Sequence, residues 1–261
     1  MDPRADIPVE LPPGRPALSE SGEAVMWISD GTAPPGLWQR LRAAHATSGW
    51  WPLLLTSMSD EGGDRPWETG ELVPSQEGAI ADHDAETVLA EAWRGSTEIE
   101  EEYDDLVPAA RLAVTAPHDI AWPGLAPETP LAGDPDEIAD RNAEWLVERP
   151  NPRLGLVRAA SGAEALSVIG WDGAVNHGID VKAISAVLAD WERRFGARLI
   201  MAGFDTLVLS TAAVVTDRER ALRVAAEHFA LCPDNVWQGA GSLEAYAESL
   251  LGDETWSFWW D

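Results

Sequence analysis

The sequence predicts an α/β (α+β) protein on three observations. Short apolar runs bounded by Gly, Pro or Asp alternate with stretches whose apolar residues recur every three or four positions, so strands and helices intersperse along the chain. The second half reads β-α-β-β-α-α-β, the order of a ferredoxin-like split βαβ unit with one inserted helix if the last strand joins the sheet. The first half opens with the same β-α-β-β-α order. Gly31 and Gly178, Leu41 and Leu188, and Gly49 and Gly196 are each 147 positions apart. That offset hints at a duplicated N-terminal half, although helix-loop-strand units converge on such spacing by packing alone.

Taken in order, residues 1–20 hold five prolines and no periodic apolar pattern, which reads as a disordered arm. Residues 24–28 form an apolar strand. Pro34 and Pro35 then open a helix carrying Leu37, Trp38 and Leu41 on one face, and Gly49 ends it. WPLLLT, 51–56, has the pattern of a buried strand, 67–73 that of an edge strand, and 84–93 that of a helix capped by Asp82 or Asp84. The acidic run EIEEEYDD, 98–105, reads as a solvated face, because adjacent carboxylates repel and cannot be buried together. Seven prolines between 116 and 153 surround one helix, 136–147. They mark a connection between an acidic α/β domain, 21–115, and a C-terminal domain, 154–261.

In that second part 165–170 reads as a strand and 181–195 as a helix closed by Gly196. Residues 198–202 and 206–210 have hairpin spacing, Thr216 with Glu219 has the form of a capping box, and Ser242 caps the last helix. The chain stops on WSFWWD. Alternation there puts Trp256, Phe258 and Trp260 on one face of a strand, so these aromatics should enter a core.

Charge and composition exclude several classes. The net charge of −27 is uneven: residues 1–150 carry 30 acidic and 9 basic side chains, residues 151–261 carry 15 and 9. Such a field repels nucleic-acid phosphates and anionic lipid, and no apolar run nears the ~20 residues of a membrane helix. A basic protein or a small ligand is the permitted partner; the sequence does not set the oligomeric state. One cysteine cannot form an internal disulfide, which suits a reducing cytoplasm.

The chemistry-bearing residues fall in three places. His228 and Cys232, four apart at a helix end, have the spacing of a nucleophile and its base, with His177 and Asp205 as further catalytic candidates. The alternative is a core histidine beside an inert thiol. The loop 171–178 follows a predicted strand and precedes a helix, where α/β folds place ligand groups. It offers Asp172, Asn176 and His177 for binding, and Asp205 is added from the hairpin turn. The turn cluster CPDNVWQG adds Asp234, Trp237 and Gln238. No GxSxG, HExxH or P-loop occurs, two spaced ligands do not make a zinc site, and neither a metal nor a cofactor is expected.

Five pieces carry a family resemblance: IGWD at 169–172, WERRFGA at 191–197, FDTL at 204–207, AEHFALCPDNVWQG at 226–239 and WSFWWD at 256–261. Together they make the second half resemble the bacterial family known as domain of unknown function 4253, and the whole chain looks like its actinobacterial members. The resemblance implies no activity. Where relatives continue GW with Asn, this chain has Asp172. A non-catalytic binding factor, accessory or immunity-type, is the leading expectation; an enzyme using Cys232 with His228 or His177 is the alternative.

Overall fold

A computed structural model describes residues 3–60, 63–74, 79–98, 108–148 and 151–261. Its centre is a seven-stranded mixed sheet, in spatial order β1 (Gly14–Leu18), β2 (Ala24–Thr32), β6 (Arg153–Arg158), β3 (Trp50–Leu55), β7 (Arg198–Ala202), β8 (Thr206–Ser210) and β9 (Thr255–Trp259). All neighbours are antiparallel except β3 and β7. A separate hairpin joins β4 (Met58–Asp60) to β5 (Gly63–Arg65).

The mixed α/β class is as expected, but the strand order is not the ferredoxin-like one. Strand β6 enters between β2 and β3, so strands from both sides of the 116–153 connection interleave in one sheet instead of forming one sheet per domain. The stretch read as a disordered arm supplies β1, which pairs with β2 and carries buried Ala17. Residues 165–170, read as a strand, are the end of helix α5 (Gly162–Ile169); Ser161 accepts from the Glu164 N–H at 3.2 Å and caps it. Residues 67–73 form a turn with a single bridge, Leu72 to Trp171. The acidic run lies outside the described residues apart from Glu98.

The 147-residue offset has a limited structural counterpart. Helix α1 (Leu37–Ser48), left-handed Gly49 and β3 match α6 (Val181–Phe195), left-handed Gly196 and β7. The paired strands meet in that same register, Leu54 with Met201 and Leu55 with Ala202, since 201 − 54 and 202 − 55 are both 147. The likeness does not reach the next elements: β8 continues the main sheet, whereas β4 pairs only with β5.

Helices cover both faces, because side chains alternate across each strand. Trp51, Leu53, Leu55 and Val157 enter one core with α5, α6, α7 (Arg218–Leu231), α8 (Leu243–Ser249) and α2 (Ala85–Thr97). Trp50, Leu54, Leu154 and Leu156 enter the other, with α1 and α4 (Pro135–Val147). Helix α3 (Pro108–Thr115) lies near α8. The C-terminal strand docks as its alternation predicts: Trp256, Phe258 and Trp260 are buried and Trp259 is exposed. Several buried tryptophan N–H groups are anchored on carbonyls, among them Trp171 on Gly203, Trp51 on Leu199 and Trp260 on Leu231, while Trp191 donates to the Glu227 carboxylate. A tryptophan can enter a core when its one polar atom finds such a partner. Among the described residues no helix is long and apolar enough to cross a membrane.

Candidate functional site

Two backbone breaks build the site. Helix α7 runs to Leu231 and stops at Pro233, which has no N–H to continue it. The chain then takes one wide helical turn, Asn235–Ala240, closed by left-handed Gly241. Asp234 is held between the two and is 5 % exposed. On the facing side α5 ends at left-handed Gly170, where a Cβ would meet the backbone of Pro74 at 2.1 Å. The loop that follows makes a single 3-10 turn, Val175–His177, and left-handed Gly178 delivers the chain to Asp180, which caps α6.

These two turns meet through His177 Nε2 and Asp234 Oδ2, 2.8 Å apart. The same carboxylate accepts from Gln238 Nε2 at 3.2 Å and from the Asp261 N–H at 2.9 Å. A buried carboxylate held by three donors is oriented, and it orients the half-buried imidazole in turn. The pair stands in the wall of a cleft of about 830 Å³, within the size range of small-molecule sites. The opposite wall is α2, whose Val88, Glu91, Ala92 and Gly95 recur at helical spacing and line the cleft, while Leu89 and Trp93 point into the core. Asp84 starts that helix by accepting from the Thr87 N–H at 2.9 Å. His83, Ser96, Asp180 and Trp237 complete the polar and aromatic lining.

The cleft thus unites His177, Asp234, Trp237 and Gln238, and leaves out the other sequence candidates. Asn176 is exposed on the outside of the same 3-10 turn. Asp172 borders a smaller cavity with Arg65, Glu71 and Phe204; partial burial raises its carboxyl above the usual range. Asp205 accepts the Trp260 N–H on its backbone carbonyl at 3.0 Å, tying the hairpin turn to the terminal strand.

His228 and Cys232 lie in the core. The His228 ring sits among Trp191, Trp256 and Phe258, with centroids 4.6 to 5.0 Å away. Its Nδ1 is 3.1 Å from the Tyr246 hydroxyl and its Nε2 is buried without a partner among the described residues. Burial, and the Arg194 guanidinium next, push its pKa down to about 3, so the ring stays neutral. The Cys232 thiol donates to the Trp259 carbonyl at 2.9 Å, and burial pushes its pKa up to about 12. A thiol in that state is not a nucleophile at neutral pH, and among the described residues the ring's hydrogen-bond partner is a phenol. Asn235 connects the two by donating to the Tyr246 hydroxyl at 3.0 Å and accepting from the Cys232 thiol on Oδ1 at 3.6 Å. Among the described residues no group of three or more His, Cys, Asp or Glu is arranged to hold a metal ion.

Sequence reasoning missed the α2 wall, His83, Glu91 and Ser96, and also Asp180. Their only signal was the apolar spacing of a helix, which does not say what faces it. Neither the curated proteins nor the solved structures contain a match to this chain. A family model does match, described as Domain of unknown function (DUF4253) and covering residues 153–261, so one wall of the cleft, with His177 and Asp234, comes from the matched region while α2 lies outside it. The resemblance therefore holds for the C-terminal part of the chain, residues 153–261, which the DUF4253 model matches.

Proposed function

We propose that the protein is a small-ligand-binding factor, non-catalytic, with the cleft between α2 and the His177–Asp234 pair as its site. One observation carries this: a buried carboxylate, itself held by Gln238 and the Asp261 N–H, fixes a half-buried imidazole in the wall of a cleft of about 830 Å³. Oriented polar groups in a mostly apolar recess are what small-molecule sites have in common. The catalytic alternative through Cys232 loses its support, since the thiol is buried and protonated. A cytoplasmic setting fits a lone, unoxidised thiol.

The test is a thermal-shift screen of small molecules against the native chain and Gly95→Phe. A Cβ at Gly95 meets nothing within 4 Å, and Gly95 lines the cleft, so a large side chain there has room to start into it. Ligands should raise the melting temperature of the native chain and leave Gly95→Phe unmoved. Hits that stabilise both proteins equally bind elsewhere and would remove the cleft from consideration.

A further inference from the structure

Hydrogen-bond direction around the cleft points to the class of ligand, and the inference rests on the cleft reading above. A carboxylate only accepts, so His177 donates from Nε2 to Asp234, and its Nδ1 is an acceptor whenever the ring carries a single proton. By the same logic Gln238 turns its amide nitrogen to Asp234 and keeps its carbonyl oxygen free to accept. Asp180 holds the Lys182 N–H with one oxygen at 2.7 Å and has the second left over. Glu91 stands exposed on α2 at the cleft rim, with no partner among the described residues. Four groups on both walls thus present acceptors, two of them on anionic carboxylates, and no Lys or Arg is among the described lining residues. Between them the wall is apolar, from Val88, Ala92, Ile179, Ala183 and Pro233.

We propose that the cleft takes an aliphatic amine with two or more ammonium groups. Such a molecule supplies only donors where the wall supplies acceptors, its charge matches Glu91 and Asp180, and its methylene chain covers the apolar strip between them. Phosphates and carboxylates would meet like charge, and a neutral diol would bring hydroxyls without charge, which makes weaker bonds to carboxylates.

Because a chain of net charge −27 attracts any cation, the experiment must separate the cleft from the surface. Titration calorimetry of the full chain at ~0.15 M salt, where exposed charges are largely screened, would use spermidine, and 1,8-octanediol as the uncharged counterpart. The variants are Glu91→Gln and Gly95→Phe in the cleft and Glu148→Gln outside it. Spermidine should bind at one site, about tenfold weaker in Glu91→Gln, the size expected for losing one charge-assisted hydrogen bond. It should be lost in Gly95→Phe and unchanged in Glu148→Gln, and the diol should not bind. Spermidine binding that is absent, equal in Gly95→Phe, or matched by the diol would overturn the assignment. A neutral or anionic ligand blocked by Gly95→Phe would overturn the amine class and keep the cleft; failure of every class would remove both.

Discussion

Two histidines of the region that matches the DUF4253 model lie beside the same helix end and meet opposite fates. His228, inside α7, is sealed among three aromatic rings; His177, opposite the turn that follows α7, stands half-buried against Asp234 at a cleft. Each is near a residue of the kind used in catalysis, Cys232 in one case and Asp234 in the other. What separates them is the environment of the partner. The thiol is held neutral by burial, whereas the Asp234 carboxylate is buried but satisfied by three donors, so it can direct its imidazole toward a space a ligand can reach. Residue type and spacing do not make a site; an oriented partner with one open side does.

The sealed side should be the larger structural contributor. Removing residues 256–261 takes away Trp256, Phe258 and Trp260, which close over His228 and the adjoining core. Losing a buried aromatic costs ~3–5 kcal/mol against a total stability of ~5–15 kcal/mol. A 1–255 chain should therefore show no cooperative melt by circular dichroism; a native-like melt would mean that the terminal strand is dispensable.

Chemical reactivity sharpens the contrast. A thiol whose pKa rises from 9.0 to about 12 has about a thousandfold less thiolate at neutral pH. Native Cys232 should react with a disulfide reagent about that much more slowly than the same thiol in denaturant, and rapid native labelling would reopen the nucleophile reading.

The pH dependence has a definite sign. His228 is lowered from 6.5 to about 3, so between those values the unfolded chain binds the proton and the folded one does not. Its contribution is fully present above pH 6.5 and is lost as pH falls toward 3, at about 1.4 kcal/mol per pH unit. His118, also lowered by burial and by Arg223, acts in the same direction. Urea unfolding between pH 7 and 4 should show this slope, and His228→Gln, which cannot titrate, should flatten it. An unchanged slope in that variant would assign acid sensitivity to other groups.

The smallest effect belongs to the open side. His177→Ala removes one of three donors from Asp234 while the half-open position lets water replace it, so stability should fall by only ~1 kcal/mol. Ligand binding should fall much further. A loss of 3 kcal/mol or more would make His177 a structural residue and weaken the cleft as a site.

Much of the second half could be read from the sequence because its signals were local. Gly196 at a left-handed C-cap, the Ser242 cap and the alternation of WSFWW each fix structure within a few residues. Helix α5 was misread because a short apolar run such as ALSVI suits a buried strand or a helix equally. The deciding signal was Ser161 with Glu164, whose side chain returns to the Ala160 N–H. Likewise Thr216 with Glu219 has the form of a capping box, whereas the cap of α7 is Asp217, one position later, which accepts from the Arg220 N–H at 2.9 Å. Strand β6 was hidden among prolines that only delimit it. The site was half legible: His177 and Asp234 were each singled out, but their meeting across 57 residues and the α2 wall depend on tertiary packing.

The position of β6 also sets a timetable. Strand β3 has β6 and β7 as its two neighbours, and β2 has β6 as one of its own, so the hydrophobic strand WWPLLL, with every residue buried in the final fold, has no partner when it is made. From Leu55 to Arg153 is 153 − 55, or 98 residues, which at ~5–20 residues per second of synthesis is roughly 5 to 20 seconds. During that interval the nascent chain must keep an apolar, edge-exposed segment from pairing with another copy. Its high negative charge is concentrated in the first 150 residues, where mutual repulsion between unfinished chains gives the most protection.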